Sequence, residues 1–142
     1  MLTIDRLELA AELDRLVTLL PRLTPRGGLS MVAASTLADL ERRGSRRITE
    51  LAESHGVTQP AMTGLVGRLA ANGLVDRAPD PADRRGVLIT VTNDGRAVLA
   101  ARREARATAL ADLLDDLDVD DHAALAAAMG AINRLVTKGL HP

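Results

Sequence analysis

Apolar residues recur every three or four positions through most of this chain, the spacing that gathers them on one face of an α-helix. Leu9, Leu13, Leu16, Val17 and Leu20 form such a stripe over residues 3–20, and Pro21 with the following Thr-Pro-Arg-Gly-Gly predicts a stop and a loop. Ser30 suits the N-cap of a second helix whose inward face holds Ala33, Leu37 and Leu40. Arg42-Arg43-Gly44-Ser45 then ends that helix with basic residues followed by glycine. Thr49 is the next candidate cap, for a short helix closing on Gly56. Two residues further on, Thr58 can cap another helix, with Pro60 in its first turn and Gly73 beyond its last. Met62, Leu65, Val66 and Leu69 would face inward there, leaving Gln59, Ala61, Thr63, Gly64, Gly67 and Arg68 on the outer face.

The pattern changes after residue 73. Residues 74–79 and the β-branched run 86–92 flank the polar stretch Asp80 to Arg85, which predicts a hairpin with a loop longer than a two-residue turn. Asp80 and Asp83 are candidates to pair with the neighbouring arginines and support that wing. Thr92 offers a cap for a long helix to about Asp116, with a stripe at Val98, Leu99, Leu110, Leu113, Leu114 and Leu117. After a break at residues 118–121, a final helix would turn Leu125, Met129, Ile132, Leu135 and Val136 inward.

Helix, short turn, helix and hairpin in that order predict a mainly α fold with a small β wing, a winged helix-turn-helix over residues 30–96. The flanking helices, 1–20 and 97–142, are more apolar than so small a lobe could cover. They predict a homodimer held together through both ends of the chain.

Composition narrows what such a protein can do. A chain of 142 residues fits one domain. Its net charge is −1, so no bulk excess of cations argues for a polyanionic partner, although 17 of the 18 basic residues are arginine. There is no cysteine, which excludes disulfides and thiolate chemistry. There is also no Phe, Tyr or Trp, and readers of single-stranded nucleic acid usually stack bases on such rings. A nucleic-acid partner would therefore be a duplex. Asp5, Glu8, Glu12 and Asp14 interrupt any signal-peptide core, and no apolar run approaches membrane-spanning length, so a cytoplasmic protein is expected.

Two groups of residues carry the candidate chemistry. In the second helix of the helix-turn-helix, Thr58, Gln59 and Thr63 can bond to base edges or phosphates, Ala61 can meet a thymine methyl, and Arg68 can reach a phosphate. In the wing, Arg84 and Arg85 supply the local positive charge needed in a narrow minor groove, without any global excess. His55, His122 and His141 lie apart, with no zinc, nucleophile or phosphate motif around them, so no enzymatic role and no cofactor is expected. Asp116, Asp118 and Asp120 have the spacing of a calcium loop, but Asp121 and Ala127 stand where it needs glycine and glutamate. An interhelical turn with a cap is the reading there, and no metal is expected. A winged helix that binds only protein is the alternative function. It would need no minor-groove arginine and would lack steep salt dependence.

Residues 48–95, with the wing pattern Asp-x-x-Asp-Arg-Arg followed by a β segment, Thr and Gly, resemble the MarR family of bacterial transcriptional regulators. The resemblance spans nearly the whole chain. It implies a homodimer joined by its N- and C-terminal helices that reads a pseudo-palindromic duplex, as a repressor or an activator, with repression the favoured reading. It further implies that Arg85 enters the minor groove, that Asp83 supports the wing and that Arg84 serves the phosphate backbone. An unidentified small effector, binding between the dimer helices and the lobe, belongs to the same implication. Where family members often carry a basic residue in the recognition helix, this chain has Gly64, and the wing strand ends in Val91-Thr92 in place of Leu-Thr.

Overall fold

The computed structural model describes residues 4–140; the start of the predicted first helix at Thr3, and His141, lie outside the described residues. Its elements are α1 (Arg6–Val17), α2 (Leu20–Leu23), α3 (Met31–Arg43), β1 (Arg46–Arg47), α4 (Ile48–Ser54), α5 (Gln59–Ala71), β2 (Val75–Asp80), β3 (Asp83–Val91), α6 (Asn93–Asp115) and α7 (Val119–Leu140). One core joins α3, α4, α5, the sheet and the start of α6. Leu37, Leu40, Leu51, Met62, Val66, Leu69, Val75, Ile89, Val91 and Leu99 are buried in it. Each fully buried aliphatic side chain of this size contributes about 1.5–3 kcal/mol of transfer free energy. This core is what holds the outer face of α5 in a fixed place relative to the sheet.

The caps of the lobe follow the sequence with one exception. The Ser30 hydroxyl accepts from the Ala33 amide at 3.1 Å, and the Thr58 hydroxyl from the Ala61 amide at 3.3 Å. Gly56 closes α4 with φ +61°, a backbone conformation that costs a side chain dearly and glycine little. Thr49, expected as the cap of α4, instead lies in its first turn. The helix starts at Ile48, and Arg47 is its N-cap residue, with its amide donating to Glu50 Oε2 at 2.8 Å. The cause is a short strand: Arg46 and Arg47 pair with Ile89 and Leu88 of β3, so the chain leaves the sheet directly into the helix.

The sheet has the order β1-β3-β2 and is antiparallel throughout. The hairpin corrects the predicted long loop. Asp80 pairs with Asp83, which leaves only Pro81 and Ala82 to make the turn. The register then jumps, because Pro79 pairs with Val87, so Arg84, Arg85 and Gly86 bulge from β3 without ladder partners. The two arginines thus stand on a bulge beside the turn, where extra residues on one strand twist the arm.

Outside the lobe, Pro21 does not end the first helix. That helix stops at Val17, and Pro21 sits in the first turn of the four-residue α2, where its missing N–H costs nothing. The Thr92 hydroxyl caps α6 through the Gly95 amide at 3.0 Å. The Asp118 carboxylate accepts from the Asp121 amide at 2.8 Å, making the predicted capped turn before α7. Of the apolar stripe predicted from Val98 to Leu117, only Leu99 is buried in the single chain. Val98, Leu110, Leu113, Leu114 and Leu117 are exposed in the single chain, as are Leu125, Met129, Leu135 and Val136 of α7, while Ile132 is half-buried. A helix of 23 residues reaches about 35 Å at 1.5 Å per residue, well past the small lobe, so its far half meets little of its own chain beyond α2 and its apolar stripe stays uncovered.

Candidate nucleic-acid interface

α5 buries Met62, Leu65, Val66 and Leu69 and leaves Thr58, Gln59, Ala61, Thr63, Gly64 and Arg68 in solvent, with Gly67 half-buried. Five of the residues read as DNA-binding therefore share one exposed face and its N-terminal end. Thr58 has its oxygen committed to the cap and keeps its O–H free to donate outward.

The wing brings the other candidates to the same side. Arg84 and Arg85 are exposed, and Arg85 shares with Gln59 the wall of a groove of about 330 Å³ between the start of α5 and the wing. Sequence positions 26 residues apart thus converge on one concave surface. The bulge that carries the arginines is held from below. Asp83 Oδ1 accepts from the Arg85 amide at 3.0 Å, an Asx turn that shapes the backbone around Arg85. Gly86 lies close over Asp80: a Cβ there would come within 3.1 Å of the Asp80 Cβ, a tight contact that Asp80 would have to yield to.

Asp80 and Asp83 do not pair with Arg84 or Arg85. Their partner is Arg47, whose Nε donates to Asp80 Oδ2 at 2.7 Å and whose Nη2 bonds the same oxygen. Asp83 Oδ2 lies 3.9 Å from Arg47 Nη1. The Ala82 amide donates to Asp80 Oδ1 at 2.9 Å. That backbone bond first, and the Arg47 guanidinium second, hold the Asp80 carboxyl below the ordinary carboxylate range. The Asp80 bond, with the charges of Asp80, Asp83 and Glu50, raises Arg47 further. Arg47 was not singled out from the sequence. It stands 33 residues before Asp80, and only the β1–β3 pairing brings them together. The run of basic residues just before a helix was the available signal.

The eight arginines of the lobe between Met31 and Val91 divide cleanly. Arg42 and Arg43 pair with Asp39 at 3.0 and 3.1 Å, Arg46 lies 3.9 Å from Glu50, and Arg47 binds Asp80. Arg68, Arg77, Arg84 and Arg85 form no ion pair among the described residues. The unneutralised four lie on α5 and the wing. Within the lobe, then, the arginines on α3 and β1 are paired with carboxylates and those on α5 and the wing are left as local positive charge, although the whole chain carries a net charge of −1.

The sequence profile of the MarR family matches residues 29–87. An HTH-type transcriptional regulator of Mycobacterium bovis is 35% identical over 112 residues, 79% of this chain and 78% of that protein. The chain belongs to the MarR family. Within the family, the transcriptional repressor NicR of Pseudomonas putida is 38% identical over 73 residues, 51% of this chain and 46% of the repressor. The crystal structure of the transcriptional regulator Tm0710 from Thermotoga maritima superposes with a TM-score of 0.71 at 24% identity, covering 94% of this chain and 95% of that one. The fold of this MarR-family chain is accordingly that of a winged helix-turn-helix regulator of transcription. No helix among its described residues is long and apolar enough to cross a membrane.

Proposed function

We propose that this protein is a sequence-specific regulator that binds duplex DNA as a homodimer. α5 of each protomer enters a major groove, and the wing of each enters the flanking minor groove. The observation that carries this reading is the convergence of Gln59 and Arg85 on one groove, flanked by arginines with no carboxylate partner. A protein-binding wing has no need of a minor-groove probe, and its binding would lack the steep salt dependence of phosphate contacts. In a dimer the two α5 helices would lie about one helical turn apart and read a pseudo-palindrome. Phosphate contacts from Arg68 and Arg84 supply affinity, while Gln59, Thr63 and Ala61 supply discrimination at base edges.

The apolar stripes of α1, α6 and α7, uncovered in the single chain, support dimerisation through both ends. Similarity to the repressor NicR over 73 residues supports repression as the sign of regulation. A small molecule that prefers one of two spacings of the α5 helices would release the operator. A protein acting on the chromosome in this way would work in the cytoplasm.

Arg85→Ala tests the reading. It should weaken binding to a selected duplex by about 1–3 kcal/mol, on the order of 10- to 100-fold. The thermal midpoint and dimer mass should hold, because an exposed arginine contributes little to stability. Unchanged affinity in a gel-shift titration would remove the wing from the mechanism.

A further inference from the structure

We propose that Arg77 on β2 is a further phosphate-contacting residue of the interface, seated across the recognition helix at Gly67. The inference rests on the DNA-binding reading above and adds to it a residue that neither the wing signature nor the outer face of α5 includes.

Strand alternation places Arg77 on the same sheet face as Val75, and its cross-strand partner is Ile89. Val75 and Ile89 are both buried, so this face is the one packed on the core beside α5. A guanidinium cannot stay in such surroundings unpaired. The side chain instead runs outward along α5 and ends in solvent. Its end lies beside Gly67, where a Cβ would rest in ordinary contact, 3.6 Å from Arg77 Nη2. One turn earlier the same relation recurs, with a Cβ at Gly64 falling 3.8 Å from Arg68 Nη1. Two cations therefore lie against the two bare places on the recognition helix.

Neither cation has a carboxylate partner among the described residues. Asp76, the acidic neighbour of Arg77, points to the opposite face of the strand and forms no ion pair there. Glycine inside a helix is unfavourable, and two in one recognition helix call for a use of the bare surface. Gly67 lies eight residues beyond Gln59, on the order of 12 Å along the helix axis. The major groove is about 12 Å wide. With Arg85 near the Gln59 end, Arg68 and Arg77 are spaced to meet the phosphates of the opposite groove wall. They supply the cation that a basic residue at position 64 would have carried.

The test is the salt dependence of duplex binding, followed by fluorescence anisotropy with a selected fragment and a random one. Each phosphate contact adds about 0.9 to the slope of log affinity against log salt. Arg77→Ala should lower that slope by about this amount and weaken both duplexes several-fold to the same degree, whereas Arg77→Lys should keep the slope. Gly67→Glu, which sets a carboxylate against Arg77 without removing it, should reproduce the loss and covers the case in which Arg77→Ala does not fold. A wild-type slope in Arg77→Ala, or weaker binding at an unchanged slope with a lowered melting temperature, would overturn the proposal. If the wild-type protein binds neither duplex, the DNA-binding reading itself fails, which is a different result.

Discussion

Arg47 shows what a single residue does for this interface and why it could be missed. Its charge is largely balanced by Asp80, although its side chain also lines the groove beside Gln59 and Arg85. Its effect is to tie the turn of the wing to the strand that precedes the helix-turn-helix. Arg84 and Arg85 stand out in the local pattern of the sequence, and the structure leaves both side chains exposed and without an ion pair among the described residues. The Asp80 partner was not legible there, because local pattern points to the arginines beside it. The Asp80 carboxyl is held below its ordinary range, so its contribution is complete above the unfolded value near pH 4. It is lost as pH falls through the folded value. Asp80→Asn should therefore melt below wild type at pH 7, with the gap narrowing toward pH 3 in calorimetry. A gap of constant width would mean that the Arg47–Asp80 tie does not brace the wing.

The long helices were readable as elements because three-and-four periodicity and short polar caps coincide, as Ser30, Thr58 and Thr92 show. Strand β1 and the bulge were not, since two residues carry no period and a bulge is set by its cross-strand partner. The junction between β2 and α6 was likewise invisible, although glycine marks it. Gly95 is buried against the backbone of Leu74, and a Cβ there would stand 2.3 Å from the Leu74 oxygen. The same oxygen accepts from the Thr92 amide at 3.1 Å, so it cannot move away without losing that bond. Gly95→Ala should destabilise the protein by about 1–3 kcal/mol, despite the gain in helix propensity alanine normally brings. Denaturant titration measures this, and a stabilised variant would show that α6 is not clamped on the sheet here.

At the scale of the whole molecule, the chain leaves two things unfinished. Leu113 and Leu135 are 46% and 56% exposed within long apolar stripes, a surface that a second copy would cover. Sedimentation should give the mass of two 15.0 kDa chains. Leu113→Glu with Leu135→Glu should give monomers that lose the cooperative grip of two half-sites. A wild-type monomer in solution would contradict the dimer.

The other unfinished feature is the charge. With a net charge of −1, the protein would hold duplex DNA, on the proposed reading, through one helix face and the four arginines of its lobe that form no ion pair among the described residues. Selection of fragments from its own genome at low ionic strength asks that directly. The account predicts enrichment of a small set sharing an inverted repeat with half-sites about one helical turn apart. Recovery no better than for random fragments would contradict it.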